Sequence, residues 1–239
     1  MHQETSMSEI IIAEPITEEL ARSICFGMWS AWSYYHFDEI TLRLSSPGGE
    51  LLGMERVLRE IDRCLLEGMV VRTVCDGPVA SAAAVIASAG SPGYREAWPH
   101  ARLLYHEPRY MAGTGMHHTA GGLNSLASTL GRSTDQMLER LLGRVSTADP
   151  VADSGLRADD LPAHVRNQLQ RSSGNGEEWS LREAYTQLLR LDMWLTPEEA
   201  CALRLLDRCR PDPTLDVSPP LRGEIVRPVP SPVSHTPGS

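Results

Sequence analysis

No lysine occurs anywhere in the 239 residues, so all 22 basic side chains are arginine. A guanidinium stays protonated at any working pH and cannot act as a general base. Serine–lysine dyads, Schiff-base chemistry and the lysine-bearing phosphate loop are excluded on that ground. Positive charge is scarce altogether: 31 acidic residues leave a formal net charge of −9, and no stretch is densely basic. That argues against nucleic acid and against a membrane surface as partners. Long apolar runs are missing as well, and none approaches the roughly 18–20 residues that span a bilayer. The first 25 residues carry scattered acids and no basic segment followed by an apolar one, so no secretory leader is expected. Cys25, Cys64, Cys75, Cys201 and Cys209 form no CxxC and no metal-ligand spacing. Neither a metal nor a cofactor is expected, and the cysteines read as reduced thiols in a cytoplasmic protein.

What is present reads as an α/β domain. Residues 9–14 form a strand closed by Pro15, and Thr17 opens a helix with Leu20, Ile24 and Met28 on one face. Residues 39–45 give a strand ended by Pro47-Gly48-Gly49. Leu51, Met54, Leu58, Ile61 and Leu65 then recur at helical spacing, with Arg56, Arg59, Glu60 and Arg63 opposite them. A strand over 69–75, a helix of small residues over 81–89 and a strand over 101–105 follow. Strands and helices alternating at this spacing predict parallel pairing. A glycine-rich stretch leads into a long helix through Leu126, Leu130, Met137, Leu141 and Val145. Residues 147–178 read as a polar, irregular insertion with one short helix near 161–170. Helical pattern resumes at 181–190, and Thr196-Pro197-Glu198-Glu199 is a capping box with proline at the first helical position. The domain is expected to end near residue 210, because the last 29 residues hold eight prolines and predict a disordered tail, 211–239.

Peptide hydrolysis by acyl transfer needs a nucleophile, a base, a group that orients the base, and donors for the oxyanion. Ser81 stands at a strand-to-helix turn, where backbone N–H groups are unpaired. Gly48 and Gly49 let the backbone approach a substrate closely. His106 ends a strand, where α/β folds place catalytic groups. His117 and His118 compete for the role of base but lie beyond any predicted strand end. Asp192 stands just before the capped helix. Each feature alone has a plain structural alternative: a helix cap, a tight turn, a half-buried histidine, a surface carboxylate.

Their order and combination carry more. Ile40 to Gly49, reading ITLRLSSPGG, resembles the SPGG strand of the Clp protease proteolytic subunit family. CDGPVAS from Cys75 to Ser81 is similar to the stretch that ends in that family's nucleophile. ARLLYHEP from Ala101 to Pro108 resembles its histidine segment, and DMWLTPEEA from Asp192 to Ala200 its aspartate segment. The resemblance covers 9–146 and 183–208. It implies a serine endopeptidase acting on short or unfolded polypeptides. Ser81 would be the nucleophile, His106 the base and Asp192 its orienting partner, with the N–H groups of Gly48 and Ala82 as the oxyanion hole. The fold it implies is a crotonase-like spiral of β-β-α units whose helical handle, about 123–146, stacks two heptameric rings of a homo-oligomer. A Clp-type ATPase would be the partner. The first strand starts within about nine residues of Met1, where the family has a gating hairpin, and this counts against such a partner. Ala82 stands where methionine is common and Glu107 where glutamine is common. A catalytically idle ring subunit and an acyl-CoA enzyme of the crotonase group are the alternatives.

Overall fold

The computed structural model of the chain describes residues 7–109, 119–148, 155–173 and 178–211. The first half runs β1 (Met7–Ile12), α1 (Glu18–Ser33), β2 (Glu39–Leu44), α2 (Leu51–Leu66), β3 (Val70–Cys75), β4 (Pro78–Ala80), α3 (Ala82–Ala87), β5 (Arg95–Ala97) and β6 (Arg102–Leu104). The second half runs α4 (Ala120–Ala148), β7 (Leu156–Arg157), α5 (Ala163–Ser173), β8 (Glu178–Trp179), α6 (Leu181–Leu191), β9 (Trp194–Leu195), α7 (Pro197–Ala202) and β10 (Arg208–Cys209).

Five strands form a parallel sheet in the order β1-β2-β3-β5-β10. Ile40, Leu42, Leu44, Val71 and Val74 are buried in it, as expected of a parallel sheet covered on both faces. A smaller sheet pairs β4 with β6 in parallel and β6 with β9 in antiparallel fashion. β3 and β5 lie in the large sheet, their successors β4 and β6 in the small one, and a helix follows each pair. This is the repeating β-β-α unit that the resemblance implies.

The helices cover the large sheet with the faces read from the sequence. Ile24 and Met28 of α1, and Met54, Val57, Leu58 and Ile61 of α2, are buried in one core with the strands. Thr17 caps α1 by accepting from the Leu20 N–H, and Thr196 and Glu199 make the expected capping box on α7.

The stretch 147–178 carries the short helix expected near 161–170, but its described residues are less irregular than its composition suggests. Between Leu156 and Trp179 the described residues form a β7–β8 pair and the helix α5. Leu156, Leu161, Val165, Leu169 and Trp179 are all buried in the main core. Composition pointed to an irregular insertion because polar residues outnumber the four of these that fall within 147–178, but all four pack into the core. His117, His118, parts of 147–178 and the tail beyond 211 lie outside the described residues. Among the described residues no helix is long and apolar enough to cross a membrane, and no group of three or more side chains could hold a metal ion.

Candidate active site

The large and small sheets meet at the end of β4, where the chain turns into α3. Ser81 occupies that turn with φ 57° and ψ −126°, a conformation that L residues rarely adopt. Two contacts hold it there. The Ser81 N–H donates to the Leu104 carbonyl at 2.8 Å, and the Ser81 carbonyl accepts from Ala84 and Val85 as the helix begins. The turn presents the Ser81 side chain at the helix start, beside the first-turn N–H of Ala82, which has no partner among the described residues.

The Ser45–Gly49 segment lies against this turn. Gly48 has φ +94°, and a Cβ there would fall 2.5 Å from the Ala80 carbonyl oxygen and 2.6 Å from Ser81 Cβ. Only glycine allows the two backbones to approach so closely. Ser46, fully buried, ties the segment down: its Oγ donates to the Glu14 carbonyl at 2.7 Å and accepts from the Gly48 N–H at 3.2 Å. The expected role of Gly48 as an oxyanion donor is therefore not supported, since its N–H is already engaged.

Gly49 fits that role better, and the sequence reading missed it. Ile16 bonds to the residues on either side of Gly49, its N–H to the Gly48 carbonyl and its own carbonyl to the Glu50 N–H. A parallel bridge of this kind turns the N–H of the intervening residue away from the partner strand. The Gly49 N–H has no partner among the described residues, and Gly49 lines one cavity of about 510 Å³ with Ser81, Ala82 and His106. Two consecutive glycines are legible in the sequence; which one faces the cavity is decided by the bridge to Ile16.

His106 follows β6, partly buried, and enters the cavity that Ser81 lines. Its Nδ1 lies 2.6 Å from the Glu107 carbonyl. A carbonyl only accepts, so a neutral ring carries its proton on Nδ1 and leaves Nε2 with a lone pair. Nε2 is thus the nitrogen able to take a proton.

Asp192 ends α6 in a left-handed conformation, φ 50° and ψ 44°. The β6–β9 register pairs Leu103 with Leu195 and Leu104 with Trp194. That pairing ends two residues short of His106 on one strand and of Asp192 on the other. Beyond it, the Glu107 N–H donates to the Leu189 carbonyl of α6 at 2.9 Å and joins the two segments. The Asp192 carboxylate, however, pairs with Arg109. The expected Asp192–His106 contact is absent among the described residues, because the Arg109 guanidinium offers a full positive charge while the imidazole Nδ1 is taken by Glu107.

The cavity walls are mostly apolar, built from Leu51, Met54, Pro108 and Met137, with Arg109 as a charged member. The cysteines stay out of the chemistry. Cys64 and Cys75 are fully buried, and burial pushes the Cys75 thiol up to about 12, so it remains protonated.

Comparison with known proteins agrees with this arrangement. The Clp protease family model matches residues 2–146. An ATP-dependent Clp protease proteolytic subunit 2 of Streptomyces coelicolor is 36% identical over 109 residues, 46% of this chain and 47% of the relative. A proteolytic subunit 4 of Streptomyces avermitilis is 33% identical over 133 residues, 53% of this chain and 56% of the relative. A proteolytic subunit 2 of Chlamydia trachomatis is 27% identical over 199 residues, 83% of this chain and 78% of the relative. The chain spans about half the length of the two Streptomyces relatives. With a family model covering more than half of its residues and β-β-α units around a serine turn, the chain belongs to the Clp protease family.

Proposed function

We propose that the chain is a serine endopeptidase that hydrolyses peptide bonds in short or unfolded polypeptides. The observation that carries the reading is Ser81, held in a strained turn at the start of α3 and sharing one cavity with His106. Ser81 Oγ attacks the scissile carbonyl while His106 Nε2 takes its proton. The N–H groups of Gly49 and Ala82 receive the oxyanion that develops. The imidazolium then protonates the leaving amine, and a water activated by the same Nε2 hydrolyses the acyl-enzyme. Asp192, once turned from Arg109 to Nδ1, orients the ring and stabilises its charged form.

The same resemblance supports assembly of the chain into rings that enclose these sites. A Clp-type ATPase that feeds unfolded chains into the rings is the partner such an assembly would take. All five cysteines are free, which supports a reducing, cytoplasmic setting.

Cleavage of an internally quenched, unstructured peptide tests the reading, with wild type beside His106→Ala and Asp192→Asn. Turnover that falls at least about 10³-fold in His106→Ala and by a smaller factor in Asp192→Asn supports it. An assembled ring that cleaves nothing returns the chain to a structural role in the ring.

A further inference from the structure

Arg109 lies where two parts of the site compete. It lines the cavity that contains Ser81 and His106, and its guanidinium holds the Asp192 carboxylate. The β6–β9 pairing that joins the two segments ends at Leu104 and Trp194, two residues short of His106 and of Asp192, and the imidazole Nδ1 donates to the Glu107 carbonyl. The neighbouring cation, Arg190, sits 3.7 Å from the Glu107 carboxylate and makes no claim on Asp192. Among the described residues lining the cavity, Arg109 is the one with a permanent charge, and none is acidic.

These facts connect two properties. The Arg109 and Asp192 side chains are 61% and 47% exposed, so their pair is solvent-screened and shifts a population by no more than about fivefold. A guanidinium fork donates to any carboxylate in the same geometry. A carboxylate brought into the cavity by a bound peptide therefore exchanges with that of Asp192. Arg109 keeps an anionic partner throughout, and Asp192 is freed to reach the imidazole beside it.

Resting on the peptidase reading above, we infer that Arg109 is a positioning and specificity residue. It holds Asp192 away from His106 until an acidic side chain of the substrate replaces it, so peptides carrying Glu or Asp near the cleaved bond both bind and complete the site. The exchange makes and breaks only ion pairs and hydrogen bonds.

The test uses the full chain, wild type beside Arg109→Gln and Arg109→Lys, with two readouts. The first is the rate of fluorophosphonate labelling without peptide. The second is kcat and KM for two quenched peptides that differ only in Glu against Gln beside the cleaved bond. The expected results are labelling about threefold to fivefold faster in Arg109→Gln, and a wild-type preference for the Glu peptide expressed largely in kcat. That preference should vanish in Arg109→Gln and return in part in Arg109→Lys. Labelling of Ser81 at equal or lower rate in Arg109→Gln, or an undiminished Glu preference in that variant, overturns the role of Arg109 while leaving the peptidase reading intact. A wild type that neither labels nor cleaves overturns both.

Discussion

Replacing Gly48 by alanine separates two costs that a glycine can conceal. The backbone there has φ +94°, and the added Cβ would stand 2.5 Å from the Ala80 oxygen, 2.6 Å from Ser81 Cβ and 3.0 Å from the Ala82 nitrogen. The first cost is conformational, about 1–2 kcal/mol for an L side chain at positive φ. The second is steric, and it cannot be relieved by a flexible side chain, because two of the three atoms are backbone and the third is the Cβ of Ser81. Ala80, Ser81 and Ala82 must move by up to about 1 Å to bring these atoms to ordinary van der Waals distance. Gly68 supplies the control: it has φ +82° and nothing within 4 Å of a built Cβ, so Gly68→Ala meets only the first cost. In a domain of this size about 1 kcal/mol corresponds to roughly 2–4 °C in Tm. Gly68→Ala should lower Tm by about 2–8 °C and leave labelling of Ser81 at the wild-type rate. Gly48→Ala should lower it further, and should slow labelling by about 10²-fold, since misplacement of reacting groups on the ångström scale has that effect. The assay is thermal unfolding beside fluorophosphonate labelling of the same preparations. A Gly48→Ala protein that labels as fast as Gly68→Ala would refute the argument that this contact positions the nucleophile.

Further expectations follow from strain and from charge. Ser81→Gly removes the strain of φ 57° together with the hydroxyl, so it should raise stability by about 1 kcal/mol while abolishing labelling; a less stable variant would contradict the strained-turn reading. Glu96, with a side chain only 3% exposed, accepts from Arg208 and Arg210, each at 2.5 Å, and pairs with Arg72. Burial alone would raise its pKa, but these guanidinium groups outweigh burial and hold the carboxyl below its usual range. A carboxyl lowered in the folded state stabilises the fold above its unfolded value, roughly 4.3, and that stability is lost as pH falls through the lowered value. Glu96→Gln should therefore cost about 3 kcal/mol at pH 7 and show a shallower loss of stability below pH 4 in urea titrations. Equal acid sensitivity of the two proteins would remove Glu96 from the account.

How much of this was legible in the sequence depends on the length scale of each signal. α2 was readable because five apolar residues repeat over four turns, and the structure ends it within a residue of the expected position. β2 and β3 were readable as runs of β-branched and apolar residues between turn signals. β4, β5, β7, β8, β9 and β10 were not, because elements of two or three residues carry no period; β6, equally short, was readable only through the apolar run 101–105 that contains it. The packing of α5 was half legible: a short helix was expected near 161–170, but nothing local showed that Leu161, Val165 and Leu169 reach the main core. In the site, the positions of Ser81 and His106 follow from strand ends. The choice between Gly48 and Gly49 depends on Ile16, and the orientation of Asp192 depends on Arg109, 83 residues away in the chain. Contacts of that range are settled by the fold, not by local pattern.

The central claim is that Ser81 is an activated nucleophile, and mass mapping after fluorophosphonate treatment tests it most directly. The account predicts a single adduct on the peptide that contains Ser81, lost in Ser81→Ala and strongly reduced in His106→Ala. A folded wild type that stays unlabelled, or an adduct on another serine that persists in Ser81→Ala, would contradict it.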